Sequence, residues 1–197
     1  MSGIHEEERS DAGLILECKQ GSEAAFAELI RRHKEKAVQL AYVAVGNYED
    51  AKDISQEAFV KVYRALKDFN MESKFSTWFY RILMNTAKDF HRRKGWRQFL
   101  SWRSGEDMDQ FFEKVEDRGA PPAKGLLDEE LGARMTKAID RLPMKQRWIF
   151  TLRFIEGLSI QEISNITQLS GGTVKSSLHF AVQKFKKEMI PYVGKTE

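Results

Sequence analysis

Five polar side chains recur at helical spacing between residues 74 and 92: Lys74, Arg81, Asn85, Lys88 and Arg92. At 100° per residue they fall on one face of a helix, within about 60° of one another. Four cations in a row can follow a phosphate backbone, and an amide among them can read a base edge. This spacing therefore predicts a surface that binds nucleic acid.

Aromatic residues crowd the same segment, with four rings between residues 75 and 80. They form either the core of a buried helix or an outward surface on which a base could stack. The helical wheel favours burial for two of the rings and places Trp78 on the border between the apolar and the polar face. The predicted core face holds Phe75, Phe79, Ile82, Thr86 and Phe90.

The elements that carry these residues are predicted to be helices, because apolar residues recur at three- and four-residue steps and nowhere alternate as in a strand. Ser22 and Asn47 are good N-caps for two long helices, the first of which closes at Gly46. A third helix is predicted from about residue 75 to 94, and a short one before Gly21. The core stripes are predicted at Phe26, Leu29, Ile30, Val38, Tyr42 and Val45, and at Ala51, Ile54, Ala58, Val62, Ala65 and Phe69.

Helical patterns return from Leu126, and the last two segments have the layout of a helix-turn-helix: "SIQEISNI", the turn "TQLSGG", and "TVKSSLHFAVQKF". The start of the second helix would leave Thr173, Lys175, Ser176 and His179 exposed to base edges or phosphates in a major groove. A plain helical hairpin is the alternative. Inward positions are predicted at Ile160, Ile163, Leu169, Val174 and Leu178, and phosphate-neutralising cations at Lys184, Lys186 and Lys187.

Composition excludes several classes of protein. The single cysteine, Cys18, allows neither an intramolecular disulfide nor a cysteine-based zinc site, and the four histidines lack ligand spacing. No apolar run approaches the ~20 residues of a membrane span, and the N-terminus lacks a signal core. We expect a cytoplasmic protein with no metal, no cofactor and no small-molecule substrate.

Charge is distributed unevenly, although the net charge is only +3. Residues 74–103 hold eight lysines and arginines against one acid, and residues 104–130 hold nine acids against three bases. This pattern indicates a basic surface followed by an acidic linker, with two solvated faces as the alternative. The aromatic residues of the linker are expected either to dock on a partner or to pack on a neighbouring domain; they are Trp96, Phe99, Trp102, Phe111 and Phe112.

Several motifs stand in a fixed order: "DISQEAF", "KFSTWFYRILMNTAKDFHRRK", "LPMKQRWIFTLRFIEGLSIQEISNI" and "GGTVKSSLHFA". Together they resemble the extracytoplasmic-function (ECF) sigma factors of bacterial RNA polymerase, in the sigma-70 superfamily. The resemblance implies an all-α fold of two small helical domains: region 2 in residues 1–95, a flexible linker in 96–125, and region 4 in 126–197. It also implies an initiation factor rather than an enzyme.

The resemblance assigns a role to each domain. The first would bind the clamp helices of the polymerase core and melt the −10 promoter element, and the second would bind the −35 element as duplex. Other implied partners are the polymerase flap and an anti-sigma factor that could hold the protein at the membrane. The implied polymerase-binding residues are Asp53, Gln56 and Glu57, and the polar face of the same helix adds Lys61 and Arg64.

In this family the loop before the third helix helps to hold a base flipped out of the duplex, which costs a few kcal/mol. The matching loop is residues 69–77, where Phe69 is the leading candidate for a pocket contact together with Asn85. Core packing at a helix end is the alternative for Phe69. The −10 set is Phe69, Lys74, Ser76, Thr77, Trp78, Arg81, Asn85, Lys88 and Arg92, and the −35 set is Ser170, Gly172, Thr173, Lys175, Ser176, His179 and Lys184.

The chain departs from the family pattern in its last helix. Ser177, Phe180 and Val182 stand where arginines are usual, which predicts fewer phosphate contacts, and Phe180 and Val182 would instead extend the core or bind a partner. Gln168 stands where a turn glycine is common, which predicts a strained or altered turn.

Three rival functions remain at this stage: an anti-sigma antagonist, a helix-turn-helix repressor and a nucleic-acid-processing enzyme. A repressor would usually need a dimer interface to read a palindrome, and no additional helix offers one. A processing enzyme would need a metal or carboxylate cluster, and the acids cluster only in the linker. The acidic stretch "GEDMDQFFEKVED" is predicted to thread into the polymerase cleft.

Overall fold

A computed structural model describes residues 10–93 and 129–193 of the chain. Within these ranges it contains eight α-helices and no strand. The predicted all-α fold is therefore confirmed. A 3-10 turn, Leu66–Asp68, follows the helix Tyr48–Ala65, and a π-helical turn, Thr151–Ile155, continues the helix Met144–Phe150. The helices are α1 Asp11–Lys19, α2 Glu23–Val45, α3 Tyr48–Ala65, α4 Phe75–Arg93, α5 Glu129–Asp140, α6 Met144–Phe150, α7 Ile160–Thr167 and α8 Gly171–Val193.

The predicted helix boundaries in the first half are confirmed. The Ser22 hydroxyl accepts from the backbone N–H of Ala25 at the start of α2, and the Asn47 side chain accepts from Asp50 at the start of α3. Gly46, with φ of 66°, closes α2 in the left-handed conformation that glycine adopts without steric cost. These caps fix the tight corner between α2 and α3.

The first unit, α1–α4, buries most of the predicted stripe of α3, including Ile54, Ala58 and Val62, and leaves Ala65 half-buried. The stripe predicted for α2 is only partly right. Leu29 and Tyr42 are buried, but Phe26, Ile30, Val38 and Val45 are half-buried. The most enclosed positions of α2 include three alanines, Ala37, Ala41 and Ala44, since small residues allow another helix to approach closely.

The second unit, α5–α8, contains the predicted helix-turn-helix as α7 and α8. Ile163, Val174 and Leu178 are buried between them, and Ile160 and Leu169 are half-buried, as predicted. A smaller cluster joins α6 to α8 and the end of α5. It consists of Leu142, Phe150 and Ala181 with Ile139, Val182 and Phe185 at its edge.

Helix α4 is buried more extensively than the helical wheel predicted. Phe75, Phe79 and Thr86 are buried on the predicted face, and Ile82 and Phe90 are half-buried there. A second face is also buried, because α7 packs against α4 and α6 packs against α2. This second face consists of Tyr80, Leu83, Met84, Ala87 and His91.

The two units share one continuous cluster of buried apolar side chains, which runs from α1–α4 into α6–α8. A wheel drawn for one helix in one domain has no information about a second domain that docks on it. The segment predicted as the linker, residues 96–125, lies outside the described residues, as do its aromatic and acidic side chains.

Candidate nucleic-acid interface

The polar strip predicted on α4 is present as a surface. Arg81 and Asn85 are exposed one turn apart, and Arg92 is exposed further along, where its guanidinium pairs with Asp89 at 3.1 Å. Lys88 is half-buried, and this burial lowers the pKa of its ammonium, against the opposing effect of Asp89. The strip therefore presents cations and one amide along the solvent side of α4, beside the buried faces.

Lys74, at the start of the strip, is exposed but already has a partner. Its ammonium lies 3.3 Å from the Glu162 carboxylate of α7. Glu162 also forms a capping box with Ser159. The hydrogen bonds with Ser159 are the main cause that lowers the pKa of Glu162, and Lys74 is a smaller cause. No sequence pattern predicts that a cation of the strip pairs with the helix-turn-helix.

Trp78 lies at the seam predicted for it and is half-buried. Its ring stacks on that of Phe69, with centroids 4.6 Å apart and planes 27° apart, and it also contacts Phe75. Phe69 is only 4 % exposed, and its carbonyl accepts a hydrogen bond from Lys19 Nζ at 2.6 Å. In this conformation Phe69 packs as core, which was the alternative to a direct base contact.

The first turn of α4 holds the remaining predicted contacts, Ser76 and Thr77, and the loop before it has a fixed shape. Ser76 is half-buried, whereas Thr77 is buried and its hydroxyl has no hydrogen-bond partner among the described residues. Met71 adopts a left-handed φ of 61°, and the Asn70 side chain accepts from the backbone N–H of Glu72. The left-handed backbone of Met71 and the hydrogen bond to Asn70 thus hold the sharp turn of the loop that precedes the polar strip.

The polar face of α3 carries the predicted polymerase contacts. Asp53, Gln56 and Arg64 are exposed, and Lys61 is half-buried between two carboxylates. Glu57 accepts from Arg93 of α4 at 2.5 Å and lies 3.1 Å from Lys61. The hydrogen bond from Arg93 is the main cause that lowers the pKa of Glu57, and Lys61 lowers it further. The two bonds hold the Glu57 carboxylate between α3 and α4.

The start of α8 holds the predicted −35 contacts. The Ser170 hydroxyl caps the helix by accepting from Thr173 N at 3.1 Å, and it lies 2.9 Å from the Thr173 hydroxyl. Ser176 donates back to the Thr173 carbonyl. Ahead of this surface, Gln168 adopts the left-handed φ of 63° that a turn glycine would adopt, so of the two predicted alternatives the structure shows the strained turn. Exposed along the same helix are Gly172, Lys175, Ser176, His179 and Lys184.

The three residues that stand where arginines are usual in the family have different environments. Ser177 is buried, Val182 is half-buried against the smaller cluster, and Phe180 is 57 % exposed beside His179. The prediction that these residues extend the core is therefore confirmed for Val182 and wrong for Phe180, for which binding to a partner stays a prediction.

Sequence reasoning missed a polar contact between the two units. The Glu156 carboxylate, after the π-helical turn, accepts from the Tyr80 hydroxyl at 2.8 Å and from Lys36 Nζ at 3.2 Å. Burial first, and then the nearby carboxylate, raise the pKa of Tyr80, which keeps its hydroxyl a donor. These residues are far apart in sequence, and no spacing pattern connects them.

Within residues 10–93 and 129–193, no group of histidine, cysteine, aspartate and glutamate side chains has the geometry of a metal site. Among the same residues, no helix is long and apolar enough to cross a membrane.

Comparison with known proteins gives two family matches, one in each unit. Sigma-70 region 2 matches residues 29–97, and Sigma-70, region 4 matches residues 133–185. The ECF RNA polymerase sigma factor SigW of Bacillus subtilis is 33 % identical over 89 % of this chain and 94 % of its own length. The ECF RNA polymerase sigma-E factor of Escherichia coli K12 is 35 % identical over 95 % of this chain and 98 % of its own length.

Solved structures share the fold at lower identity. CnrH in complex with the cytosolic domain of CnrY covers 92 % of this chain and 98 % of its own, with a TM-score of 0.62 and 23 % identity. The sigma factor RpoE of Bartonella quintana, in complex with the anti-sigma factor NepR, covers 83 % and 96 %, with a TM-score of 0.64 and 21 % identity.

Proposed function

We propose a specific binding role for each of three helices in this chain, which belongs to the ECF RNA polymerase sigma factors. As a member, it is an alternative initiation factor that binds polymerase core and directs it to promoters. In the proposal, α4 and its preceding loop bind the −10 element, α8 binds the −35 element, and the polar face of α3 binds the polymerase clamp. The observation that carries it is the exposed Arg81–Asn85 pair beside the half-buried Trp78.

The −10 role rests on the geometry of α4. Arg81 and Arg92 offer cations to a single-stranded phosphate backbone, and Asn85, between them, offers one donor group and one acceptor to a base edge. A base that leaves the duplex needs stacking to offset a few kcal/mol of unstacking. Trp78 supplies the apolar surface for this, and the buried Phe69 acts by holding the Trp78 ring in place.

The −35 role rests on the exposed start of α8. Ser170 and Thr173 are fixed by their mutual capping bonds, and Lys175, Ser176 and His179 extend from the next turn into solvent. A recognition helix contacts base edges through its N-terminal residues. With Ser177 buried and Phe180 apolar, the phosphate contacts of this helix come chiefly from the exposed Lys184, Lys186 and Lys187. Its binding therefore depends less steeply on salt than it would with arginines at positions 177 and 180.

The polymerase role rests on α3. Asp53 and Gln56 are exposed, and Glu57 is held by Arg93 in a fixed position, which limits the side-chain entropy lost when a partner helix binds. The proposal also includes an anti-sigma partner and a cytoplasmic location. It is supported by the two structural neighbours, CnrH bound to CnrY and RpoE bound to NepR.

An Asn85→Ala variant tests the −10 role. In run-off transcription with polymerase core, we expect it to weaken open-complex formation while leaving binding to closed duplex promoter nearly unchanged. Gln39→Ala, which removes an exposed amide from α2, is the matched control. An equal loss in both assays would contradict the role of Asn85. No promoter-specific transcript from the wild-type protein on a genomic library would favour the antagonist instead.

A further inference from the structure

A phenylalanine in the middle of α8 faces solvent. Phe180 is 57 % exposed, although the next two residues, Ala181 and Val182, pack on the smaller cluster of the second unit. At about 100° per residue, Phe180 lies about 140° around the helix from Phe185, which packs on the same cluster. Burial of the Phe180 ring in the core would therefore require a rotation of the whole helix.

Phe180 belongs to a row of side chains along the outer face of α8. The members of the row recur at steps of three and four residues and fall within about 80° of one another. The row begins with two hydroxyl groups, continues with the Phe180 ring and ends with two ammonium groups. We call it the α8 stripe, and it consists of Thr173, Ser176, Phe180, Lys184 and Lys187. A helix in a major groove contacts base edges near its start and can contact phosphates further along, so the order of the stripe fits such a helix.

The position of Phe180 on the stripe keeps its ring close to the base-reading end. Ser176 precedes it by one turn, and the Ser176 hydroxyl donates to the Thr173 carbonyl. From Thr173 to Phe180 the helix rises about 10 Å, at about 1.5 Å per residue. This length spans about three base pairs of DNA, at about 3.4 Å per base pair. The hydroxyl groups and the ring therefore face neighbouring base pairs when α8 lies in the groove.

The neighbouring His179 supports one side of the Phe180 ring. The two ring centroids lie 5.7 Å apart with planes at 76°, which is an edge-to-face arrangement. This contact restricts rotation of the Phe180 side chain while leaving more than half of it exposed. A restricted side chain loses less entropy when it binds a partner.

The chemistry of a phenyl ring determines which base it can recognise. The ring has no polar group, so it cannot read the hydrogen-bond donors and acceptors that distinguish bases in the major groove. The 5-methyl group of thymine is the apolar group that a base presents there. An arginine at position 180, as is usual in the family, would instead bind guanine or phosphate.

We propose that Phe180 contacts the 5-methyl group of a thymine in the −35 element and makes this chain select thymine at one position. The proposal rests on the proposed function, because it assumes that α8 lies in the major groove of that element. Loss of one buried methyl group lowers affinity about fourfold. Phe180 thus contributes sequence specificity, whereas Lys184 and Lys187 on the same stripe contribute affinity for any sequence.

Uracil lacks the 5-methyl group of thymine and therefore tests this contact directly. The full-length protein is assembled with polymerase core, and a promoter that this complex selects from a genomic library is isolated. Each thymine of its −35 element is then replaced with uracil, one position at a time, and the affinity of the complex is measured by competition. We expect one position at which uracil weakens binding about fourfold.

Variants of Phe180 identify the side chain responsible. Phe180→Ala should bind the thymine promoter about fourfold more weakly than the wild type and should bind thymine and uracil equally at that position. Phe180→Leu, which keeps an apolar side chain, should retain most of the preference for thymine. Phe154→Ala is the matched control, because Phe154 is 54 % exposed in the same unit but contacts Phe150, which packs on the core side of α8. It should bind as the wild type does.

Three results would overturn the thymine contact: no effect of uracil at any −35 thymine, a selected −35 element without thymine, or a uracil effect that persists in Phe180→Ala. A fourth result would assign the ring to a protein partner instead. In that case Phe180→Ala would weaken assembly with polymerase core and leave promoter binding by the assembled complex unchanged. Failure of the proposed function has a different signature, since replacement of the whole −35 element with random sequence would then leave the affinity of the wild-type complex unchanged.

Discussion

Trp78 is held against Phe69 by near-parallel stacking at 4.6 Å, so a buried ring fixes the orientation of a half-buried one at the edge of the α4 strip. The ring of Phe75 supports both from the core side. An orientation fixed before DNA arrives lowers the entropy that binding costs. The stack therefore joins the core of the first unit to its proposed DNA surface.

Replacing Phe69 with leucine should impair promoter melting more than it impairs folding. The substitution keeps an apolar side chain but removes the face on which Trp78 lies, and volume-reducing core changes of this kind cost roughly 1–2 kcal/mol. We expect a several-fold slower open-complex formation, measured by permanganate reactivity of promoter thymines. The variant should still bind polymerase core.

The matched control is Phe59→Leu. Phe59 is also buried and stacked, on Phe79 at 4.7 Å, and its stack does not include Trp78. Equal stability losses with equal melting defects in the two variants would mean that Phe69 acts through stability alone.

Gln168 offers a test of backbone strain in the helix-turn-helix. Its φ of 63° is disfavoured for a residue with a side chain, by roughly 1 kcal/mol, whereas glycine adopts it freely. Gln168→Gly should therefore raise the free energy of unfolding by about 0.5–1 kcal/mol, after loss of the side-chain bond to the Asn165 carbonyl. Chemical denaturation with an unchanged m-value measures this.

Gln161→Gly, at an exposed position in the first turn of α7, is the counterpart of that substitution. Glycine at this helical position should destabilise the protein by up to about 1 kcal/mol. Destabilisation by both substitutions would show that the turn at Gln168 is not strained.

Local rules predicted the parts of the fold that depend on neighbours in sequence. Ser22, Gly46 and Asn47 mark the α2–α3 corner because caps and left-handed glycines act within one turn of the chain. The buried stripe of α3 follows from helical periodicity for the same reason.

The contact between the units could not be predicted in this way. Tyr80 and Met84 of α4 are buried by helices roughly 60 to 85 residues further along the chain, and periodicity carries no information on which faces of distant helices meet. Glu156, which accepts from Tyr80 and Lys36 of the first unit, looks like an ordinary loop carboxylate in the sequence. Lys74 could be predicted as a cation of the strip but not as a partner of Glu162.

The Asp11 carboxylate should give the first unit an acid-sensitive stability. It accepts from His33 Nε2 at 2.7 Å and lies 3.4 Å from Arg32, and the hydrogen bond from His33 is the main cause that lowers its pKa. A carboxyl group with a folded-state pKa below its unfolded value near 3.9 stabilises the fold above that pH. This contribution is lost as the pH falls through the lower, folded-state pKa.

Asp11→Asn should therefore be less stable than the wild type at neutral pH, and the difference should shrink below about pH 4. Thermal denaturation followed by circular dichroism from pH 7 to pH 3 measures it. Glu35→Gln, at an exposed position of α2, serves as the control. A difference that stays constant over the whole range would show that the ionised carboxylate is not the source of the stability.

Lys175 and Lys184 can be distinguished by salt and sequence dependence. Lys184, about three and a half turns into α8, is placed to contact phosphate only, and Lys175, near the end of its first turn, is placed near base edges. Lys184→Ala should weaken binding to all duplexes alike and reduce the slope of log K against log salt by about 1. Lys175→Ala should in addition lower the ratio of the affinity for a −35 element to the affinity for a random duplex.

Fluorescence anisotropy at four salt concentrations measures both the salt slope and this ratio. Lys67→Ala, which replaces an exposed lysine after α3, is the control. If Lys67→Ala changes the slope as much as Lys184→Ala does, the duplex is bound by the general charge of the protein rather than by α8.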